Sequence, residues 1–162
     1  MTEISLEVAL PLIAWSRLWN FEIPEADAED AWQQLDLPHQ YGEYASEIFS
    51  TFALVGTDIA IATNQNAEQV NTHLAASCEQ LDLDWTVVPL PAQQLSAICE
   101  ITAYAIEREE NVLARDLVKT HLLPWCEVAE RLLSREESAL VFMVDDFAQD
   151  LVNVVDHLPS ET

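Results

Sequence analysis

The sequence predicts an all-α fold, a single-domain helical bundle of about seven helices. Apolar residues recur three and four positions apart along most of the chain, which is the spacing of one helix face. Only two glycines are present, Gly42 and Gly56, where average usage would give about eleven, and tight β-hairpins need such residues. The length of 162 residues fits one domain. We therefore expect one helical domain over residues 1–162.

Composition indicates a folded chain and argues against polyanionic partners. Half of the residues are apolar, so the chain can build a core although it has 29 acidic and only 6 basic side chains. The net charge of −23 repels phosphate, whereas nucleic-acid affinity depends mostly on Lys and Arg. Nucleic acids and anionic lipid surfaces are therefore poor partners.

Two helices are predicted before Pro38. Pro11 should bend or delay the first, whose buried face is predicted at Ile4, Val8, Leu12, Trp15 and Trp19. The second should begin at Pro24, because proline and acidic residues are favoured in a first helical turn, and Pro38 should end it. Its predicted buried face is Ala28, Ala31, Trp32 and Leu35.

Two further helices are predicted in the middle of the chain. The first ends at Gly56 and has its apolar face at Tyr41, Tyr44, Ala45, Ile48, Phe49 and Phe52. Residues 58–66 have no clear period and are predicted to form a loop. Asn66 and Gln69 resemble a capping box, and the helix that follows should bury Val70, Leu74, Cys78 and Leu81. Residues 82–91 are predicted to be extended or irregular.

The C-terminal half predicts three helices. The first, from Ala92, should bury Leu95, Ile98, Cys99, Thr102 and Ile106, and the second Leu113, Leu117, His121, Trp125, Val128 and Leu132. Pro124 must kink the second helix, because its nitrogen cannot donate and its ring clashes with the Thr120 carbonyl. Ser134 and Glu137 predict a capping box before a last helix that buries Leu140, Val144, Phe147, Leu151, Val154 and Leu158.

No residue pattern predicts catalysis or a bound cofactor. The chain has no GxSxG motif and no local cysteine-protease signature. The four histidines, His39, His73, His121 and His157, form no HExxH pair. Adjacent acidic residues are interpreted as a solvated helix face rather than as an acid/base couple. We therefore expect no enzyme activity, no cofactor and no metal.

The cysteines and the N-terminus favour a reducing compartment. Cys78, Cys99 and Cys126 are odd in number and form no CxxC pair, which predicts free thiols. The first fifteen residues include Glu3 and Glu7 and have no basic segment before their apolar stretch, unlike a secretory signal. No apolar run reaches the roughly 18 residues that a membrane span needs. We expect a soluble, cytoplasmic protein.

The segment from His121 to Trp125, His-Leu-Leu-Pro-Trp, is the most distinctive local motif. If the kink is mild, His121 and Trp125 lie four residues apart on one helix face. The alternative is that Trp125 is a core residue, His121 a satisfied and partly buried histidine, and Pro124 a helix boundary. The residues alone leave both interpretations open.

Residues 90–133 resemble the signature region of the TorD/DmsD/NarJ family, the redox-enzyme maturation chaperones. The first family motif is a Glu, two residues and then Leu-Pro-x-Asp-His-Leu, which is matched here by Leu90, Pro91 and Leu95. The second, His-Leu-x-x-Trp, is matched in full by His121, Leu122 and Trp125. A weaker resemblance extends over nearly the whole chain. The departures from the pattern are Val87, Gln93 and Gln94, which stand where the family has Glu, Asp and His.

The resemblance implies an all-helical cytoplasmic chaperone without enzyme activity. Members of the family bind the N-terminal twin-arginine signal peptide of a molybdenum-cofactor oxidoreductase until the cofactor is inserted, and the NarJ branch serves a cytoplasmic nitrate reductase subunit. The implied partner is such a leader peptide or the apo catalytic subunit that carries it, and the implied assembly is a monomer or a domain-swapped homodimer. The open alternative is an acidic helical adaptor, or a NarJ-type assembly factor, that binds a basic segment of a non-exported partner.

The peptide site is expected in the groove between the two motifs. Gln93 and Gln94 can hydrogen-bond a peptide backbone, but they cannot form the charge-assisted bond that Asp offers to Arg. We expect Glu100 and Asp116 to compensate for that lost carboxylate. The complete predicted set is Leu90, Pro91, Gln93, Gln94, Leu95, Glu100, Asp116, His121, Leu122, Pro124 and Trp125.

Overall fold

Helices account for nearly all of the regular structure in the computed structural model, which describes residues 3–83 and 94–158, with side chains from residue 6 onward. The helices are α1 Glu3–Leu18, α2 Glu25–Gln34, α3 Ala45–Val55, α4 Ile59–Ala62, α5 Ala67–Gln80, α6 Leu95–Glu107, α7 Asn111–Leu117, α8 Leu123–Arg135 and α9 Val141–His157. A 3₁₀ turn at Tyr41–Glu43 precedes α3, and a π-helical segment at Val118–Leu122 joins α7 to α8. The predicted all-α class is confirmed.

Helix α1 lies at the centre of the bundle. It packs along α6 and also contacts α2 and α9, while α8 packs on α9. Its predicted face is buried at Val8, Leu12, Trp15 and Trp19, and the side chain of Ile4 lies outside the described residues. Pro11 lies inside α1, which already begins at Glu3, so the proline does not delay the helix.

The other predicted helix faces are also largely buried. Helix α2 buries Ala28, Ala31 and Trp32 and follows Pro24, but it ends at Gln34, before Pro38 is reached. The faces predicted for α5, α6 and α9 are buried in full. Phe49 is the exception in α3, since it is 63% exposed. The predicted irregular stretch, residues 82–91, is described only as far as Leu83.

Two local predictions are wrong. Residues 58–66 contain α4, whose first turn is capped by the Asp58 side chain accepting from the Ile61 N–H. The predicted capping box of Ser134 and Glu137 is absent, because Ser134 still lies in α8 and Glu137 has a left-handed φ of 52°. The last helix begins later, after Leu140, whose N–H donates to the Ser138 hydroxyl. By contrast, Asn66 does cap α5 by accepting from the Gln69 N–H.

The shortage of glycine is visible at the helix C-termini. A residue in the left-handed conformation commonly closes a helix, and glycine is the usual choice because it carries no Cβ. Here the left-handed residues that follow helices include Asp36, Asn64, Asp82, Glu109 and Glu137. Polar and mostly acidic side chains therefore occupy the positions at which most helices place glycine.

None of the helices in the described part of the chain is both long and apolar enough to cross a membrane.

Candidate functional site

Described residues from both family-like motifs contact one short loop between α3 and α4. The indole Nε1 of Trp125 donates to the Gly56 carbonyl oxygen at 2.8 Å. The next residue, Thr57, donates through its hydroxyl to Gln94 Oε1 at 2.8 Å, and its carbonyl accepts from the Leu95 N–H at 2.7 Å. Gln94 also forms an isolated antiparallel bridge with Asp58. Gly56–Asp58, which we call the junction loop, thus holds the end of one motif beside the other.

Gly56 suits the junction loop because its φ is 84°, a left-handed value that an L-residue rarely adopts. A Cβ added there would meet no atom within 4 Å, so the constraint is the backbone conformation and not the space available. The turn after α3 therefore orients the Gly56 carbonyl toward the indole of Trp125.

Trp125 belongs to an aromatic cluster in the core. Its ring lies 5.2 Å from that of Trp19, 6.3 Å from Phe52 and 6.1 Å from Phe147, measured between centroids. The side chain is fully buried. The interpretation of Trp125 as a core residue is therefore correct, and its hydrogen bond connects the core to the junction loop.

Pro124 is accommodated by a wider helical turn before it rather than by a helix end. The backbone runs from α7 through the π-helical segment into α8, with Pro124 in the first turn of α8. The Thr120 carbonyl, which Pro124 cannot engage, accepts from Gln65 Nε2 at 3.3 Å. Because proline has no N–H, Pro124 cannot donate to this carbonyl, and a side chain from the loop after α4 donates to it instead.

A chain of three polar side chains lies beside the π-helical segment. His73 Nδ1 and His121 Nε2 are 2.8 Å apart, and His73 Nε2 lies 2.8 Å from Asp116 Oδ2. The same carboxylate accepts from the Thr120 hydroxyl through Oδ1 at 3.1 Å. His73 is partly exposed on α5, whereas His121 is 1% exposed. Within residues 3–83 and 94–158, the buried Nδ1 of His121 has no hydrogen-bond partner.

Burial dominates the electrostatics of His121. Desolvation, with a smaller effect from His73, lowers the pKa of His121 to about 4, although Asp116 acts in the opposite direction. The ring is therefore neutral at pH 7. The alternative interpretation, a satisfied and partly buried histidine, does not match the ring, which is fully buried and has a partner for only one of its two nitrogens among the described residues.

The predicted site residues divide into three groups. Leu95, His121, Leu122 and Trp125 are buried, so direct contact with a peptide would require them to become exposed. Gln94 and Pro124 are partly exposed, and Glu100 and Asp116 are exposed. Leu90, Pro91 and Gln93 lie outside the described residues.

The two carboxylates expected to compensate for Gln93 and Gln94 lie on different parts of the surface. Asp116 is engaged by His73 and Thr120. Glu100 lines a cleft of about 310 Å³ between α1 and α6, together with Arg17 and Tyr104. Partial burial raises the pKa of Glu100. The structure therefore does not bring Glu100 and Asp116 together into one acidic site.

The sequence analysis did not predict two exposed apolar residues that lie next to the junction loop in the chain. Leu54, two residues before Gly56, is 65% exposed, and Ile61 in α4 is 78% exposed. The signal that could have found Leu54 is its position outside the apolar face predicted for α3. Ile61 gave no such signal, because α4 is too short to show a period. Both are therefore exposed apolar side chains within three residues of the junction loop in sequence.

The thiols carry no sign of nucleophilic chemistry. Cys78, Cys99 and Cys126 are buried and free, as predicted. Burial raises the pKa of each thiol, and for Cys126 nearby carboxylates raise it further. Since the thiolate is the reactive form, these cysteines stay protonated and serve as small apolar core residues. Within residues 3–83 and 94–158, no group of three or more His, Cys, Asp or Glu side chains could hold a metal ion.

Comparisons with protein-family models, with curated proteins and with solved structures each give no match to this chain.

Proposed function

We propose that the chain is a cytoplasmic chaperone that binds the twin-arginine leader peptide of a molybdenum-cofactor oxidoreductase during maturation. The observation that carries the proposal is that Leu95 of the first family-like motif and Trp125 of the second both hydrogen-bond to the junction loop. The two motifs are far apart in the sequence, and residues of both bond to the same loop.

The surface at the junction loop has the chemistry that such a leader needs. Leu54 and Ile61 flank the loop in sequence and offer apolar area to the leader's apolar stretch. The net charge of −23 supplies a field that attracts the leader's arginines and accelerates encounter. Buried Trp125 then acts as a support that fixes the loop, and the exposed side chains make the contacts.

A binding titration with paired variants tests this proposal. The probe is a synthetic peptide with two consecutive arginines followed by an apolar stretch, measured by calorimetry. The double variant Leu54→Ser, Ile61→Ser should weaken binding at least tenfold, because it removes most of the exposed apolar area beside the loop. Leu10→Ser is the matched control, since Leu10 is 54% exposed on α1, and it should leave the affinity unchanged. Equal affinity in the double variant would remove the site from the junction loop.

A second peptide separates leader binding from a general preference for basic segments. Replacing both arginines with lysine keeps the charge but removes the planar guanidinium groups. A leader chaperone should bind the lysine peptide more weakly than the arginine peptide. Equal binding of the two, together with a steep loss of affinity in salt, would favour an acidic adaptor that recognises positive charge alone.

A further inference from the structure

The hydrogen-bond partners of His73 and His121 determine which ring nitrogens carry a hydrogen when both rings are neutral. His73 Nε2 faces the Asp116 carboxylate, which can only accept, so it carries a hydrogen. The 2.8 Å contact between His73 Nδ1 and His121 Nε2 holds one more. With His73 Nε2 occupied, a neutral pair requires His121 Nε2 to donate to His73 Nδ1, which leaves His121 Nδ1 without a hydrogen.

Adding a third hydrogen to the pair always places a hydrogen on His121 Nδ1. If the added charge sits on His121, both of its nitrogens carry hydrogens. If it sits on His73, that ring donates through Nδ1, so His121 Nε2 must accept and Nδ1 must carry the hydrogen. In either case His121 Nδ1 becomes a donor, and this buried atom has no hydrogen-bond partner in the described part of the chain. The packing around His121 therefore disfavours the charged pair.

The position of His121 in the π-helical segment links the charge of the histidine pair to the conformation of that segment. His121 lies in a π-helical turn, an arrangement found frequently at functional sites. In the same turn, the Thr120 carbonyl accepts from Gln65 Nε2 and the Thr120 hydroxyl donates to Asp116. His73 lines a surface depression at the start of α5 with Asn66 and Thr72, so protons reach the pair from solvent through it.

We propose that the chain of Asp116, His73 and His121 is a proton-gated switch, in which uptake of a third hydrogen by the histidine pair opens or repacks the π-helical segment. Helices α6, α7, α8 and α9 also contact this segment. Among the described residues, the groups that act on His121 electrostatically are His73 from α5 and Asp116 from α7. Lys119, in the same segment, is exposed. The low pKa of His121 fits this assignment, because the packed state resists the added charge.

The switch goes beyond the proposed chaperone function and is tested without any peptide. Nitrogen-15 spectra of the imidazoles in the native protein should show His121 as the Nε2–H tautomer at pH 7. Amide exchange of residues 118–122, corrected for the intrinsic pH dependence, should rise about tenfold from pH 6.5 to pH 5, because opening is linked to one proton. Amides of α9 serve as the internal reference and should not show this rise.

Two variants assign the effect to the buried ring. His121→Gln should abolish the extra exchange, and His157→Gln, which changes an exposed histidine at the end of α9, should retain it. If His121→Gln does not fold, the tautomer and the exchange profile of the native protein decide the question. A hydrogen on His121 Nδ1 at pH 7, or the same rise in α9 as in the segment, would overturn the proposal.

Discussion

Two residues one helical turn apart, His121 and Trp125, hold the start of α8 through different interactions, a hydrogen-bonded chain and aromatic packing. On one side, Trp125 packs among Trp19, Phe52 and Phe147 and makes a single hydrogen bond to the junction loop. On the other, His121 relies on a hydrogen-bonded chain through His73, and its second nitrogen has no partner among the residues that the structure describes. The aromatic side depends on apolar area, which does not titrate. The histidine side depends on protonation, so only this side should respond to pH near neutrality.

The largest effect is expected on the aromatic side. Trp125→Ala removes a fully buried ring and its bond to Gly56, and it should lower the free energy of unfolding by about 3–5 kcal/mol. Trp125→Phe keeps most of the ring packing and loses the hydrogen bond, so it should cost about 1–2 kcal/mol. Urea unfolding of the two variants measures both values. Equal losses would mean that the hydrogen bond, and not the buried area, dominates.

On the histidine side, the free energy of unfolding should fall as the pH falls. The pKa of His121 is about 4 in the folded chain and about 6.5 when unfolded, so the unfolded state binds more protons between these values. Relative to its value at pH 7, the contribution of His121 should drop by roughly 2–3 kcal/mol by pH 4.

This pH effect is measured as the difference between the native protein and His121→Gln, because the many carboxylates titrate in both proteins and cancel. His39→Gln is not a suitable control, since His39 has a φ of 64° that a substitution would strain further. His157→Gln is suitable, and its stability should follow the native curve. A pH-independent difference between native protein and His121→Gln would contradict the buried neutral state.

A smaller effect is expected at the junction loop that both sides share. Gly56→Ala should cost about 1–2 kcal/mol, because the φ of 84° is unfavourable for a residue with a Cβ. Gly42→Ala is the matched control, since an added Cβ there also meets no atom within 4 Å and no positive φ is required. Its thermal midpoint should stay close to that of the native protein. Similar losses at both glycines would show that φ is not the cause.

The smallest effect concerns the cap of α5, the helix that carries His73. Asn66→Ala should cost about 1 kcal/mol, because the Gln69 N–H loses its acceptor. Gln69→Ala keeps that backbone donor and its bond, so it should change the stability by less than Asn66→Ala. The reverse order, measured by urea unfolding, would indicate that the Gln69 side chain completes a capping box.

The buried faces were predictable because each depends on a single helix. Residues of α6 and α9 spaced three and four apart reach the core whatever their neighbours are, so the apolar period was sufficient. Helix α4 was not predictable in this way, since Ile59–Ala62 is too short to display a period. The start of α9 was mispredicted because Glu137 is left-handed, and no local rule distinguishes that state from a first helical turn.

The site was predictable only in part, because its contacts join distant segments. The apolar period correctly predicts that His121 and Trp125 are both buried. It contains no information about His73, which lies 48 residues away and still contacts His121. The same limit applies to Gly56, whose bond to Trp125 spans 69 residues.

The helix ends without glycine affect how this chain can evolve. Asp36, Asp82 and Glu137 hold left-handed conformations that cost an L-residue roughly 1 kcal/mol more than glycine. A single base change converts an aspartate or glutamate codon into a glycine codon, so each of these gains in stability is one mutation away. Each would also remove a negative charge. A laboratory selection for thermal resistance should therefore enrich glycine at these three positions, whereas a selection for charge-dependent binding should keep the acids.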